Sequence, residues 1–264
     1  YLPNLSRLDY LSAMAYCHGY VLAVEKAASI EVPERAEYIR AITVEMNRIS
    51  SHLVWFGAFV MDLGGFSPLM YAFDDREQIL DLLEAVTGSR LTYCYFRFGG
   101  LYNDVDDDFI EGTRRFVKRM RKSLKMYHKL VTTNAILMNR LIGIGPVSAE
   151  LCQRYGATGP VARGSGINYD VRRNEPYSVY PEFDFEIPVY NESDSFARYK
   201  VRMEEMEQSL RIIEQGLDKL PDGPVNPEKK PKTIKLPAGD YLLGVRPEDV
   251  KIVAEDAPNA LAAE

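Results

Sequence analysis

Cysteine is scarce in this chain of 264 residues: there are three, Cys17, Cys94 and Cys152, and no two form a CxxC pair. An odd number at such spacings argues against a disulfide framework and a zinc site, and suits small buried hydrophobes in a reducing compartment. Histidine is equally scarce, and His18, His52 and His128 show no spacing that would support a metal site. Positive charge is also in deficit. Lysine and arginine number 32 against 38 acidic residues, leaving a net charge of -6 and a pI near 5.3, which argues against nucleic acid as a partner. No run of about eighteen apolar residues is present that could span a bilayer. The most apolar stretches, 11–24 and 53–63, are short or interrupted by His18, Gly57 and Asp62. No signal peptide and no internal repeat is visible. The expectation is a chain soluble by itself, with any membrane association supplied by a partner.

What is present is helical periodicity. The length fits one large domain or two small ones and is enough to bury a substantial core. Residues 6 to about 30 read as a first helix, with Ser6 as N-cap, Asp9 completing a capping box, and Leu5 and Tyr10 as a hydrophobic staple. Arg7 does not fit that account, because the helix dipole disfavours a cation in the first turn. Arg7 and Tyr10 are three apart and share a face, offering a charged donor and a phenol to something electron-rich.

Pro33 and Glu34 open a second helix, along which Ile39, Ile42, Met46, Ile49, Leu53, Phe56 and Val60 recur every three or four residues. Gly64-Gly65 stops it, and a third helix runs from Pro68 to a Gly88 cap. Residues 92–96 are aromatic and extended, and Gly99-Gly100 suggests a turn. Asp104, Asp106, Asp107 and Asp108 lack calcium-loop spacing and suit the start of a helix reaching about residue 134, with a basic face from Arg114 to Lys129. A short helix over 148–155 precedes a long irregular segment, 156–193. Its Arg163-Gly164-Ser165-Gly166 lacks the lysine and the strand–helix setting of a phosphate loop, so a tight turn held by arginine is expected. In the last helix Phe196, Tyr199, Met203, Met206, Leu210, Ile213, Leu217 and Leu220 form one stripe, with Glu204, Glu205, Glu207, Arg211, Glu214 and Asp218 on the other face. Pro221, Pro224, Pro227 and Pro231 then mark a linker. The expected division is a helical core over 1–222 and a linker with a divergent tail over 223–264.

Several blocks, YLPNLSRLDYLSAM, AVEKAASIEVPERAEYIRAITVEMNRISSHL, GSRLTYCYFRFGG, RGSGINYDVRRNEPYSVYPEFDFEIPV and MEEMEQSLRIIEQGLDKLPDGPV, occur in this order. Together they resemble the quinone-site subunit of respiratory complex I, the 49-kDa or D subunit, over roughly residues 1–240. After that the resemblance stops, and Gly244-Val245-Arg246-Pro247-Glu248-Asp249-Val250 instead resembles a phrase from ABC-transporter ATPases, too short to carry a function. The family is related to the large subunit of nickel–iron hydrogenases. The resemblance therefore implies a mainly α fold, a long-helix bundle of that type carrying a long irregular loop segment. Hydrogenases hold nickel and iron with paired cysteines, which this chain lacks, so hydrogen chemistry is not expected.

The resemblance also implies roles for particular residues. Tyr10 would contact the quinone head group, and Arg7 would lie against the terminal iron–sulphur cluster of a neighbouring subunit. Asp62, in Phe59-Val60-Met61-Asp62-Leu63-Gly64, matches the aspartate that pairs with a quinone-binding histidine. In the family that histidine lies on a hairpin before the RLDY block, outside this sequence. Thr92 stands where many members have a histidine, as in versions using low-potential quinones such as menaquinone. The implied function is the quinone-site scaffold of a proton-translocating NADH:quinone oxidoreductase. No cofactor would be held by this chain alone, and flavin and iron–sulphur clusters would reside in partners. Those partners would be the iron–sulphur subunit with the terminal [4Fe-4S] cluster, the 30-kDa (C) subunit and the membrane-arm quinone-channel subunit, on the cytoplasmic side of a bacterial cell membrane. The electron donor stays open among NADH, F420H2 and ferredoxin. The alternative is a non-catalytic truncated paralogue or fragment that serves as a helical interaction module.

Overall fold

The computed structural model describes residues 2–228 and is mainly α, as the periodicity predicts. In chain order the elements are α1 (Leu2–Leu5), α2 (Ala13–Ala28), α3 (Glu34–Asp62), α4 (Ser67–Thr87), β1 (Phe96–Arg97), β2 (Gly100–Leu101) and α5 (Asp107–Tyr127). A π-helical turn (His128–Thr132) follows, then α6 (Ala135–Leu141), α7 (Ala149–Arg154), α8 (Gly159–Arg163), α9 (Val171–Asn174), a 3-10 turn (Tyr180–Glu182) and α10 (Ser195–Asp218).

α3 is the central strut. Its whole predicted stripe, Ile39 through Val60, is buried, because α2, α4 and α10 pack around it. Removing that much apolar surface from water is the main force holding the bundle together, about 25 cal/mol per Å². At Gly57 a Cβ would come within 2.7 Å of the Leu69 side chain, so glycine permits the close approach of α3 and α4. Gly88 caps α4, as expected. α5 runs back antiparallel to α4, and α10 runs antiparallel to α5, with Arg121 joining Glu207 and Glu214 and Arg114 joining Asp218.

Three sequence expectations change. The first helix begins at Ala13, not Ser6. The Ser6 hydroxyl turns back to donate to the Pro3 carbonyl at 2.9 Å, and Asp9 Oδ1 accepts from Leu11 N and Ser12 N at 3.0 and 3.3 Å. The capping box is thus replaced by a side-chain-stabilised turn, and Tyr10, 68% exposed, makes no staple. The helix expected to reach residue 134 ends at Tyr127, where a π turn with Thr133 N donating to His128 O intervenes before α6. Glu205, placed on the outer face of α10, is buried.

Glu205 is buried because the 156–193 segment lies over that side of α10. It forms a second small core of Tyr38, Ala41, Val179, Tyr180, Phe183, Phe185 and Ile212. Arg163 holds its turn as expected, donating to Tyr169 O at 2.9 Å. Asp106 caps α5 and Asp104 pairs with Arg35, so the aspartate cluster serves helix start and packing. Residues 96–101 form a hairpin whose Leu101 N donates to Val225 O at 3.1 Å. The tail from residue 229 onward, including 244–250, lies outside the described residues.

Candidate functional site

The N-terminal turn is clamped by one side chain. Asn47, buried on α3, accepts from Met14 N at 3.1 Å through Oδ1 and donates to Leu11 O at 3.2 Å through Nδ2. A single amide thus satisfies backbone groups on either side of the entry to α2, fixing where the preceding turn points. Arg7, Leu8 and Tyr10 are left outside, Leu8 63% and Tyr10 68% exposed. The Arg7 guanidinium folds onto the Pro3 carbonyl without an acidic partner among the described residues. A cation and a phenol are both exposed on this turn, though without the helix from Ser6 that would have set them on one face.

Asp62 is the last residue of α3, exposed, and without an ion pair or hydrogen bond among the described residues. It faces water, one of the two outcomes that the cost of an isolated buried carboxylate allows. Asn47 and Asp62 are fifteen positions apart on one helix, roughly 22 Å at 1.5 Å per residue. Among the described residues no hydrogen bond or ion pair joins the turn carrying Tyr10 to the α3 terminus carrying Asp62. Thr92 sits in the left-handed region, φ 52°, between them and the hairpin in sequence. An open groove of about 670 Å³ lies elsewhere, at the α2–α3 junction. Its lining mixes Glu25, Glu31, Glu34 and Glu37 with Leu22, Ile30, Val32 and Val179.

The histidines are structural in their contacts. His52 Nε2 meets Glu205 Oε2 at 2.8 Å, and His128 Nδ1 meets the Thr132 hydroxyl at 3.0 Å. His18 is buried between the rings of Phe96 and Tyr177; burial, with Arg40 adding to it, lowers its pKa to about 3. Burial, reinforced by Cys94, pushes the Cys17 thiol up to about 11, so it is not poised as a thiolate ligand. Among the described residues no group of histidine, cysteine and carboxylate side chains is arranged to hold a metal ion, and the three cysteines are free.

What the sequence did not disclose is a buried ion network behind the turn. Glu45 is hydrogen-bonded by Arg172, Tyr180 and Ser209, while Arg172 also grips Asp170 at 2.7 Å. Arg163 pairs with Glu205, which binds His52, and lies 3.8 Å from Asp170. Burial pushes Glu45 and Glu205 up, but the pairing outweighs it. Arg48 and Arg172 hold Glu45 at about 2, and His52 with Arg163 does the same for Glu205. Each local sequence gives no sign of this, since the partners are contributed by distant segments.

The family comparison gives the lineage. Residues 62–249 match the model of the family described as respiratory-chain NADH dehydrogenase, 49 Kd subunit, so the likeness does not stop near residue 240 as the sequence blocks suggest. The chain belongs to that family. It is 76% identical to the NADH-quinone oxidoreductase D subunit of Desulfotalea psychrophila, over 98% of this chain and 71% of the relative. It is 66% identical to the corresponding D 2 subunit of Opitutus terrae, over 93% of this chain and 61% of the relative. Against the D subunit of Syntrophobacter fumaroxidans it is 57% identical, over 91% and 64%. The chain thus spans roughly two thirds of the length of these 49-kDa-family relatives. Among the described residues no helix is long and apolar enough to cross a membrane.

Proposed function

We propose that this chain is the quinone-site scaffold of a proton-translocating NADH:quinone oxidoreductase, with Tyr10 as the hydrogen-bond donor to a quinone head group. The observation that carries the reading is the Asn47 clamp. It presents Arg7 and Tyr10 outward from a fixed turn, although the phenol of Tyr10 would be sheltered if it served packing alone. The Tyr10 hydroxyl donates to a quinone carbonyl oxygen, where negative charge grows as electrons arrive, so the bond strengthens along the reaction. Arg7 faces the terminal [4Fe-4S] cluster of a partner iron–sulphur subunit, whose net negative charge a guanidinium offsets. Reduction takes two electrons and two protons onto the quinone, menaquinone being the proposed acceptor, given Thr92. The 30-kDa subunit and a membrane-arm subunit complete the site, on the cytoplasmic side of the cell membrane, and Asp62 pairs with a histidine supplied from outside these residues.

The test is Tyr10→Phe in the assembled enzyme. The ring stays and the hydroxyl goes, which costs about 0.5–1.5 kcal/mol in binding, with a further rate loss where the proton contact matters. Quinone reduction should fall on the order of tenfold or more while reduction of an artificial acceptor upstream is unchanged. Equal loss of both activities, or loss of neither, overturns the head-group role.

A further inference from the structure

α3 ends at Asp62, and the backbone just beyond it folds back on the helix. Leu63 N donates to Phe59 O at 3.2 Å, Gly64 N to Met61 O at 2.8 Å and Gly65 N to Val60 O at 2.9 Å. Gly64, at φ 94°, then turns the chain away. The Leu63 carbonyl accepts from another helix, through Nη1 of Arg140 on α6. α6 is itself anchored. Asn134 Oδ1 accepts from Ile136 N and Leu137 N at 2.9 and 3.3 Å, and Leu137 and Leu141 are buried. Arg140, beside Leu141, is exposed and has no acidic partner among the described residues.

Two features make this contact particular. A methyl group at position 64 would come within 3.2 Å of Arg140 Nη1, so glycine there leaves the guanidinium its seat. The guanidinium is also bound to a backbone carbonyl one residue past an unpaired carboxylate, and not to the carboxylate itself. An acidic side chain in the last turn of a helix sits at the negative end of the helix dipole, where a cation is favourable. Arg140 supplies that cation while Asp62 keeps its carboxylate exposed.

We propose that Arg140 is a positioning residue for quinone reduction and acts through Asp62. By closing the terminal carbonyl of α3 it fixes the direction in which the carboxylate leaves the helix. Because it is engaged on that carbonyl, the carboxylate stays free for the histidine that pairs with it. Without Arg140 the turn at 63–65 loosens, and the pair must be ordered anew at each turnover, which slows a step that depends on held geometry. This role rests on the quinone-site reading of Asp62, and adds to it a second helix on which the carboxylate's placement depends. A plain helix cap would make the same hydrogen bond, so the test must separate the two.

The experiment is a double-mutant cycle in the assembled enzyme, with a short-chain naphthoquinone as acceptor. Arg140→Ala should slow quinone reduction by about threefold to tenfold with Asp62 in place, and by less than about twofold in the Asp62→Asn background. The loss should fall on kcat, with KM for the quinone moving less than about twofold. Arg140→Lys, which keeps a cationic donor for the one carbonyl, should recover most of the rate. Reduction of an artificial acceptor upstream should be unchanged in every variant, and any shift of the thermal midpoint should be the same in both backgrounds. Equal slowing with and without Asp62, or no slowing at all where Asp62→Asn does slow the reaction, overturns the proposal and leaves Arg140 a plain cap. If Asp62→Asn alone leaves quinone reduction unchanged, the quinone-site reading of Asp62 fails and the role of Arg140 falls with it.

Discussion

His52 on α3 and Glu205 on α10 meet at 2.8 Å across 153 positions of sequence, and the other carboxylate oxygen of Glu205 is held by Arg163. One buried carboxylate therefore ties the central strut, the last helix and the irregular segment together.

Glu205→Gln tests how far that tie matters. It removes the negative charge between His52 and Arg163 and leaves the buried guanidinium with only the more distant Asp170, 3.8 Å away, in a class of change that costs up to about 3–5 kcal/mol. Urea unfolding should show a lower midpoint with an unchanged slope. Glu205→Leu combined with Arg163→Met, which removes both charges, should recover part of that loss. A destabilisation under about 1 kcal/mol for the single variant would mean that water reaches the pair.

His18 gives the fold a pH dependence of definite sign. Its pKa is lowered to about 3 in the folded chain against 6.5 when unfolded, so the unfolded state takes up the proton first as pH falls. Its contribution is present above pH 6.5 and lost between 6.5 and 3. At pH 5 this amounts to about 2 kcal/mol less stability than at pH 7. His18→Gln should flatten that part of the profile. Glu45 and Glu205, held near 2, act only further down, between about 4.5 and 2.

Arg7 and Asp62 should affect function without affecting the fold. Both are exposed, and neither has a side-chain partner among the described residues, so Arg7→Ala and Asp62→Asn should each change stability by less than about 0.5 kcal/mol. In the assembled enzyme Arg7→Ala should shift the potential or EPR line shape of the terminal cluster, and Asp62→Asn should slow quinone reduction alone. Unaltered spectra and rates would leave both as plain surface residues.

The stripe from Ile39 to Val60 was legible because burial on one side of a helix prints a three-to-four residue period. The same rule misled at Glu205. Its face of α10 looks polar, and only Arg163, from a segment without period, makes burial tolerable there. The Ser6 and Asp9 signature was real hydrogen-bonding capacity spent differently, since Asn47 fixes the start of α2 further along the chain, at Met14. Arg7 and Tyr10 stood out through their sequence block, but their outward display depends on that asparagine, which no local pattern announces.

The ion network also sets an order of events during synthesis. Glu45 finds Arg172 across 127 positions and Ser209 across 164. Contacts of such span carry a large chain-closure entropy and form late. Until residues near 209 have left the ribosome, Glu45 has no full set of partners, and its carboxylate keeps α3 hydrated in the middle. The central strut can form as a helix early, yet it cannot become dry until the last helix arrives. A nascent chain stalled before α10 should therefore present an open, chaperone-binding α3 instead of a smaller finished domain.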